Sequence, residues 1–190
     1  MIRKVGFLFV GCLALASLGL PRAAEAKSSN KNSEPFTQDF RLEDCTFSSM
    51  GRNPQLVEVS RNYFAICAPS NSVFYFGEEV DLYAGGVITG HDGSWLTGVN
   101  GAKPGLIMPG LVLLGARYFQ EVATGVAMDQ AEFVAMNQSI TTPAGTFSGC
   151  VKTRETTPLE PKALEFKLYA PGIGLVQDDT LWLVQYGFVR

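Results

Sequence analysis

Few side chains here are of types that carry proton-transfer or covalent chemistry, and their spacing limits what they could do. His91 is the only histidine, and Asp92 follows it, a pairing that invites general acid–base work. Adjacent residues seldom aim at one reacting atom, however, and Gly90-His91-Asp92-Gly93 reads more simply as a turn. Glu78, Glu79 and Asp81 form an acidic cluster. On a strand, residues 79 and 81 share a face, as a weak calcium site would need. No glycine-bracketed ligand spacing accompanies them, so a solvated strand edge is the simpler account. Asp178-Asp179 is the same case. No serine lies in a Gly-x-Ser-x-Gly elbow, and no glycine cluster leads from a strand into a helix, so hydrolase and nucleotide-binding readings lack support. The expectation is a chain with no catalytic residue, no cofactor and no metal ligand, and therefore not an enzyme.

Two further sets of residues bear on binding. Lys152, Arg154 and Lys167 alternate with Glu155 and Glu165 along neighbouring strands, which predicts cross-strand ion pairs on a wet face rather than an anion site. The aromatic residues Phe64, Phe74, Phe76, Tyr118, Phe133, Phe147, Phe166 and Trp182 are the material of a core. If the sheet is curved with one mouth open, they become the lining of an apolar cavity instead. The candidates for lining it are Phe74, Phe76, Trp95, Phe133 and Phe166.

The elements that must position these residues are strands. Thr142-Pro143-Ala144-Gly145 suits a hairpin turn, with proline presetting φ and glycine free to take a positive one. Phe147 to Thr156 follows as a strand. Leu164, Phe166 and Leu168 then alternate with Glu165 and Lys167, which predicts one buried face and one wet face. Pro171-Gly172 interrupts that strand before Ile173 to Val176, and Leu181 to Tyr186 is the last. Upstream, FRLEDCTF (Phe40 to Phe47) reads as a short strand. Leu56 to Ile66 reads as a longer one with a bulge, Val73 to Phe76 as another, and Val80 to Tyr83 with Val87 to Thr89 as a hairpin about Ala84-Gly85-Gly86. Gly90 to Pro109 carries five glycines and two prolines around Trp95 and is predicted to be the longest irregular region, the natural place for a functional loop. Leu111 to Leu114 reads as an apolar connector and Tyr118 to Val122 as a strand. Ala127 to Gln138 has helix-forming residue types, yet Ala131, Phe133 and Ala135 alternate with Glu132, Val134 and Met136, so a strand is favoured. Nine or ten strands in succession predict an all-β antiparallel meander: a curved sheet or partly open barrel.

A 190-residue chain suffices for one domain with an ordinary core. Arg3 and Lys4, the apolar run Val5 to Leu20, and the small residues of Ala24-Glu25-Ala26 make residues 1–26 a secretory signal peptide, with cleavage expected before Lys27. No later stretch could span a membrane as a helix. Residues 27–38 are polar and read as a disordered lead-in, leaving 39–190 as the β domain. Without the leader, 12 basic and 17 acidic residues remain, a net charge of about −5 that offers nucleic acid or anionic lipid no footprint. Cys45, Cys67 and Cys150 then remain in an oxidising compartment. Cys45 with Cys67 is the pair favoured by proximity, no disulfide at all is the alternative, and Cys150 suits a buried apolar strand.

The segments NSVFYFGEEVDLY, GSWLTGVNGAKPGLIMPG, TTPAGTFSGCVKT, ETTPLEP and LYAPGIGLV together resemble a group of exported bacterial β-proteins. The resemblance runs from about Asp39 to Gly187 and is strongest from Arg61 onward. It implies an antiparallel fold comparable with the curved sheets of periplasmic lipoprotein carriers, and it brings no catalytic residue, cofactor or ligand. Members of that group carry additional β-hairpins after a Gly-Arg-Asn-Pro stretch, whereas here Pro54 is followed almost at once by Leu56, which implies an unpaired edge or open mouth. The combined expectation is an exported protein of the periplasm or extracellular space, binding or carrying an apolar or amphiphilic small ligand. An envelope protein is the alternative partner, through the Gly90–Pro109 loop or a strand edge.

Overall fold

The computed structural model describes Ile2–Phe9 and Phe36–Leu42 as backbone, and residues 56–188 with their side chains. The cleavage site at residues 24–26, most of the lead-in, and Cys45 with its proposed pairing lie outside the described residues. All described elements are strands. The first half holds β1 (Ile2–Phe9), β2 (Phe36–Leu42), β3 (Glu58–Cys67), β4 (Ser72–Ala84), β5 (Val87–Gly90), β6 (Trp95–Leu96) and β7 (Lys103–Met108). The second holds β8 (Arg117–Phe119), β9 (Glu121–Val122), β10 (Gln130–Thr142), β11 (Gly145–Thr157), β12 (Glu160–Ala170), β13 (Gly174–Asp178) and β14 (Leu181–Phe188).

Hydrogen bonding runs in the order β8-β10-β11-β12-β13-β14-β2-β1-β3-β4-β7-β9, with β5 and β6 also on β4. The pairings are antiparallel except β1 with β3, where Phe7 to Phe9 lie parallel to Asn62 to Phe64. The β7–β9 pairing, Lys103 with Val122 and Pro104 with Glu121, forms a small second sheet at one end. The ladder does not close into a barrel, yet its two terminal strands, β8 and β9, are separated in the chain only by Gln120. The sheet is therefore bent until its ends nearly meet, and the concave side encloses a space.

Turn chemistry accounts for the hairpins. Gly85 and Gly86 both have positive φ (60° and 82°) between β4 and β5, the two-residue connection whose twist matches its strands. Pro143 and Ala144 connect β10 to β11, with Thr142 paired to Gly145. The segment read as helix or strand is strand: β10 buries Ala131 and Phe133 on the predicted face. Asn137 (φ 54°) and Gly149 (φ 67°) interrupt the β10–β11 register, and such bulges bend a hairpin. The tip consequently folds over β14, where Ala144 N–H donates to the Leu183 carbonyl at 3.2 Å. Ile140, Ala144 and Phe147 thereby cover a core of Cys150, Leu168, Val176 and Leu183. A second core gathers Phe64, Tyr75 and Trp95 with Ala102 and Ala123. Tyr75 stacks on Phe64 at 4.8 Å and meets the Trp95 edge at 5.0 Å.

Several expectations need correction. The Gly90–Pro109 region is not irregular throughout, because β6 and β7 lie in it. Pro104 is tolerated at this short edge pairing, and Gly105 lets the backbone come close to Phe119 and Gln120. Val73–Phe76 and Val80–Tyr83 are one continuous strand, β4, and Tyr118–Val122 is two strands broken at Gln120. On β12 the expected faces hold for Leu168, which is buried, and Glu165, which is exposed, but not for Leu164 and Lys167. Leu164 is 53 % exposed, whereas the Lys167 side chain is only 19 % exposed. A period of two groups residues by face without telling which face is inside, and here both faces are covered along the strand's second half.

Candidate functional site

The concave side of the sheet holds a cavity of about 960 Å³. Its apolar wall comes from β3, β4, β7 and β13, with Phe64, Ile66, Val73, Ile107, Met108 and Leu175 facing the space. Tyr75, Glu78, Glu121, Asp129, Lys167 and Asp178 line it as well, so ionisable groups gather at one partly open site. That is the reverse of the dispersal the sequence suggested. Strands β4, β9 and β12, far apart in the chain, bring them together because the bent ladder places its ends side by side.

Glu155 and Lys167 anchor the polar side. The Lys167 ammonium lies 3.0 Å from Glu155 Oε2 and 3.4 Å from Asp178 Oδ1. Glu155, 5 % exposed, also accepts from Gln120 Nε2 (3.1 Å), Thr153 Oγ1 (3.0 Å) and the Tyr169 hydroxyl (3.3 Å) at Oε1. A buried carboxylate is tolerable only when its lone pairs are used in this way. Burial opposes the charged form of Lys167, but Asp178 and Glu155 outweigh it and hold the ammonium well above the ordinary lysine pKa.

Glu121 is a different kind of acid. It is 2 % exposed and accepts the Asp129 backbone N–H at 2.5 Å. Burial raises its pKa to about 8, against that hydrogen bond and with further pressure from Asp129 and Glu78. Burial raises Asp129 too, opposed by a Thr157 hydrogen bond. The Tyr75 hydroxyl lies 2.5 Å from Asn62 Oδ1 and 3.1 Å from Glu78 Oε2. Glu78 is the register partner of Trp95 across β4–β6. Trp95 lines the cavity and is 6 % exposed, and its indole N–H has no acceptor among the described residues.

Of the five lining candidates, the cavity wall includes Trp95 but not Phe74, Phe76, Phe133 or Phe166. Phe74 and Phe76 flank Tyr75 on β4 and so take the alternate face, where Phe76 is exposed. Phe133 is fully buried against Tyr118, with ring centroids 5.4 Å apart. Phe166 lies under the Lys152 ammonium, 4.4 Å from its ring centre.

The predicted ion pairs divide between the two sides of the sheet. Arg154 and Arg117 both reach Glu132 Oε2 at 2.6 Å on the outer side, while Lys167 and Glu155 are internal. Glu165 is 4.0 Å from Lys167. His91 is solvent-exposed and bonded to Asp81 at 2.9 Å, away from the cavity. Glu79 is taken by Arg61 (2.8 Å) and the Tyr63 hydroxyl (2.7 Å). Hence Glu78 leaves the predicted acidic cluster for the cavity, and its neighbours stay outside.

Sequence reasoning missed Glu121 and Asp129 as site residues. The one available signal was an acidic residue inside an otherwise apolar strand, Tyr118-Phe119-Gln120-Glu121-Val122. Comparison with protein-family models, curated proteins and solved structures yields no match.

Proposed function

We propose that this chain is an exported, non-enzymatic binding or carrier protein whose bent sheet takes an amphiphilic small ligand into its cavity. The observation that carries the reading is the cavity itself, large enough for a lipid-sized molecule and apolar along one wall with a polar cluster on another. Small-molecule sites have this composition, with a few convergent polar groups fixing orientation within an apolar surround. The non-enzymatic part rests on the state of the polar groups. Lys167 is held charged between two carboxylates, which removes it as a nucleophile, and His91 is too distant to act as a base for anything in the cavity. Export rests on the leader-like residues 1–26.

The test is extraction of the purified protein with organic solvent, followed by mass spectrometry. A single amphiphile class recovered in near-equimolar amount is the expected result. Absence of any co-purifying lipid, together with no uptake of alkyl probes, overturns the reading. N-terminal sequencing of the exported product should begin at Lys27, a cleavage that removes β1 (Ile2–Phe9) from between β2 and β3 and leaves the cavity to residues 56–188, which supply all of its lining.

A further inference from the structure

The two ends of the bent ladder differ in charge. Along an antiparallel ladder alternate connections share an end, and those of β3–β4, β7–β8, β10–β11 and β12–β13 lie at one of them. Contacts tie these connections together. The Gly110 N–H donates to Ser72 Oγ at 3.0 Å, the Gly115 N–H donates to the Phe133 carbonyl at 2.8 Å, and Gly149 packs beside Pro171. The connections and the strand ends that flank them fall in residues 62–77, 104–116, 133–151 and 168–177. None of these four stretches contains an Asp, Glu, Lys, Arg or His. Charged residues make up 17 % of the chain, so their absence marks this end and not the composition. The same end exposes large apolar side chains. Leu111 is 71 % exposed and Phe188, at the finish of β14, 65 %, and Ile66, Leu113 and Leu114 are exposed as well.

The cavity opens at this end. Ile66, Asn71, Gly110, Pro171, Gly172 and Phe188 both line the space and are solvent-exposed. Trp95, Glu121, Lys167 and Asp178, also in the lining, are buried or half-buried. The mouth is therefore uncharged and the ionisable groups form the floor.

Resting on the binding reading above, we propose that this end seats the protein on a neutral or zwitterionic lipid surface, with the mouth of the cavity against the lipid. Two observations name the occupant. Charged side chains are the groups a lipid interface rejects most strongly, and all four stretches lack them. A footprint for a partner protein has a polar, solvated rim in which charges are ordinary, and no rim charge is present here. The second observation is continuity with the cavity. Met108, Gly110 and Val112 line the space, while Leu111, Leu113 and Leu114 of the same segment face solvent, so one apolar surface runs from outside into the mouth. Gly110 against Ser72 and Gly115 against Phe133 fix the segment at both ends, and leucines displayed on a held segment cost little further ordering on docking. Apolar burial supplies the attraction, since a net charge of about −5 without the leader gives anionic lipid none.

Flotation of the exported product with phosphatidylcholine vesicles tests this, alongside uptake of a soluble fluorescent alkyl probe. The parent should partition onto the vesicles equally at low and high salt, because apolar burial is not screened. Leu111→Glu combined with Leu114→Glu places charges at exposed positions outside the cavity lining. That pair should cut vesicle partitioning about tenfold or more, with probe uptake and the near-ultraviolet circular dichroism spectrum unchanged. Val87→Glu, at an exposed position at the opposite end of β4, should float like the parent. A parent that stays in solution, a leucine pair that still floats, or a Val87→Glu chain that fails to float overturns the lipid seat, and retained probe uptake then leaves the cavity reading standing. Self-association in sedimentation velocity that the leucine pair abolishes, without flotation of the parent, overturns it in favour of a second copy of the chain. Flotation without probe uptake by the parent supports the lipid seat and overturns the carrier reading.

Discussion

Lys167 carries a positive charge on which Glu155 and Asp178 converge, and Glu155 is among the least exposed acids described. Replacing Lys167 with methionine keeps the length of the side chain but leaves two buried carboxylates facing each other. Breaking a buried pair from one side typically costs about 3–5 kcal/mol, so Lys167→Met should lower the unfolding free energy by about that much in denaturant titrations. Adding Glu155→Gln should recover part of it, because the second charge is then gone. Glu121 makes the complementary case, since its folded pKa is raised rather than lowered. Between its ordinary value near 4.5 and its folded value of about 8, the native state holds a proton that the unfolded chain has lost. Stability must therefore fall as pH rises through that window, by an amount on the order of a few kcal/mol. Asp129, also raised, adds to the fall with the same sign. Glu79 and Glu132, lowered by their hydrogen bonds to Tyr63 and Arg61 and to Arg154 respectively, stabilise with the opposite sign, but their effect is complete once pH exceeds the ordinary carboxylate range. Thermal melts from pH 5 to 8 should accordingly show a declining midpoint, and Glu121→Gln should flatten the slope.

Among the strands, β7 shows how far local sequence can mislead. Proline and glycine at positions 104 and 105 read as loop, yet the chain pairs there with both β4 and β9. The glycine is required by contact. A Cβ at Gly105 would collide with the carbonyl oxygens of Phe119 and Gln120, so Gly105→Ala must push β7 away from the β8–β9 junction. Forcing a methyl group into such a contact costs about 1–3 kcal/mol. The expected outcome is a destabilisation of that size, with faster hydrogen exchange at Lys103 to Met108 than in the β10–β14 meander. That meander was readable in advance from Pro143, Pro171-Gly172 and the Asp178-Asp179 turn, because its contacts join neighbours in sequence. The pairing of β8 with β10 and of β9 with β7 was not, since it depends on Gln120 splitting one apolar run between two ends of the ladder. The same limit explains β12, where alternation was correctly read but Leu164 and Lys167 were given each other's surroundings.

At the scale of the bent sheet, the site depends on closure rather than on any motif. Glu78, Glu121 and Lys167 meet only because strands at opposite ends of the ladder curve towards one another, so a linear scan sees scattered charges where the folded chain has a cluster. Of the five aromatic residues that the sequence offered as lining, only Trp95 is in the cavity wall, and Phe74 and Phe76 take the other face of β4 by alternation about Tyr75, which the sequence reading had not applied. Curvature also separates folding from binding. The core of Cys150, Leu168, Val176 and Leu183 beneath the β10–β11 tip lies apart from the cavity lining, so the open volume is not needed to hold that part of the sheet together. Ala127 lines that volume and packs at the margin of the Phe64–Tyr75–Trp95 core, which makes it the position at which to fill the space. An Ala127→Phe side chain projecting into the cavity gains apolar contact without displacing buried neighbours. The unfolding free energy should stay within about 1 kcal/mol of the parent or rise, while uptake of a fluorescent alkyl probe should fall about tenfold or more. A substitution that leaves the fold intact and removes uptake marks the hollow as a binding site. Uptake undiminished in a stably folded Ala127→Phe chain would mean that the ligand sits elsewhere on the molecule.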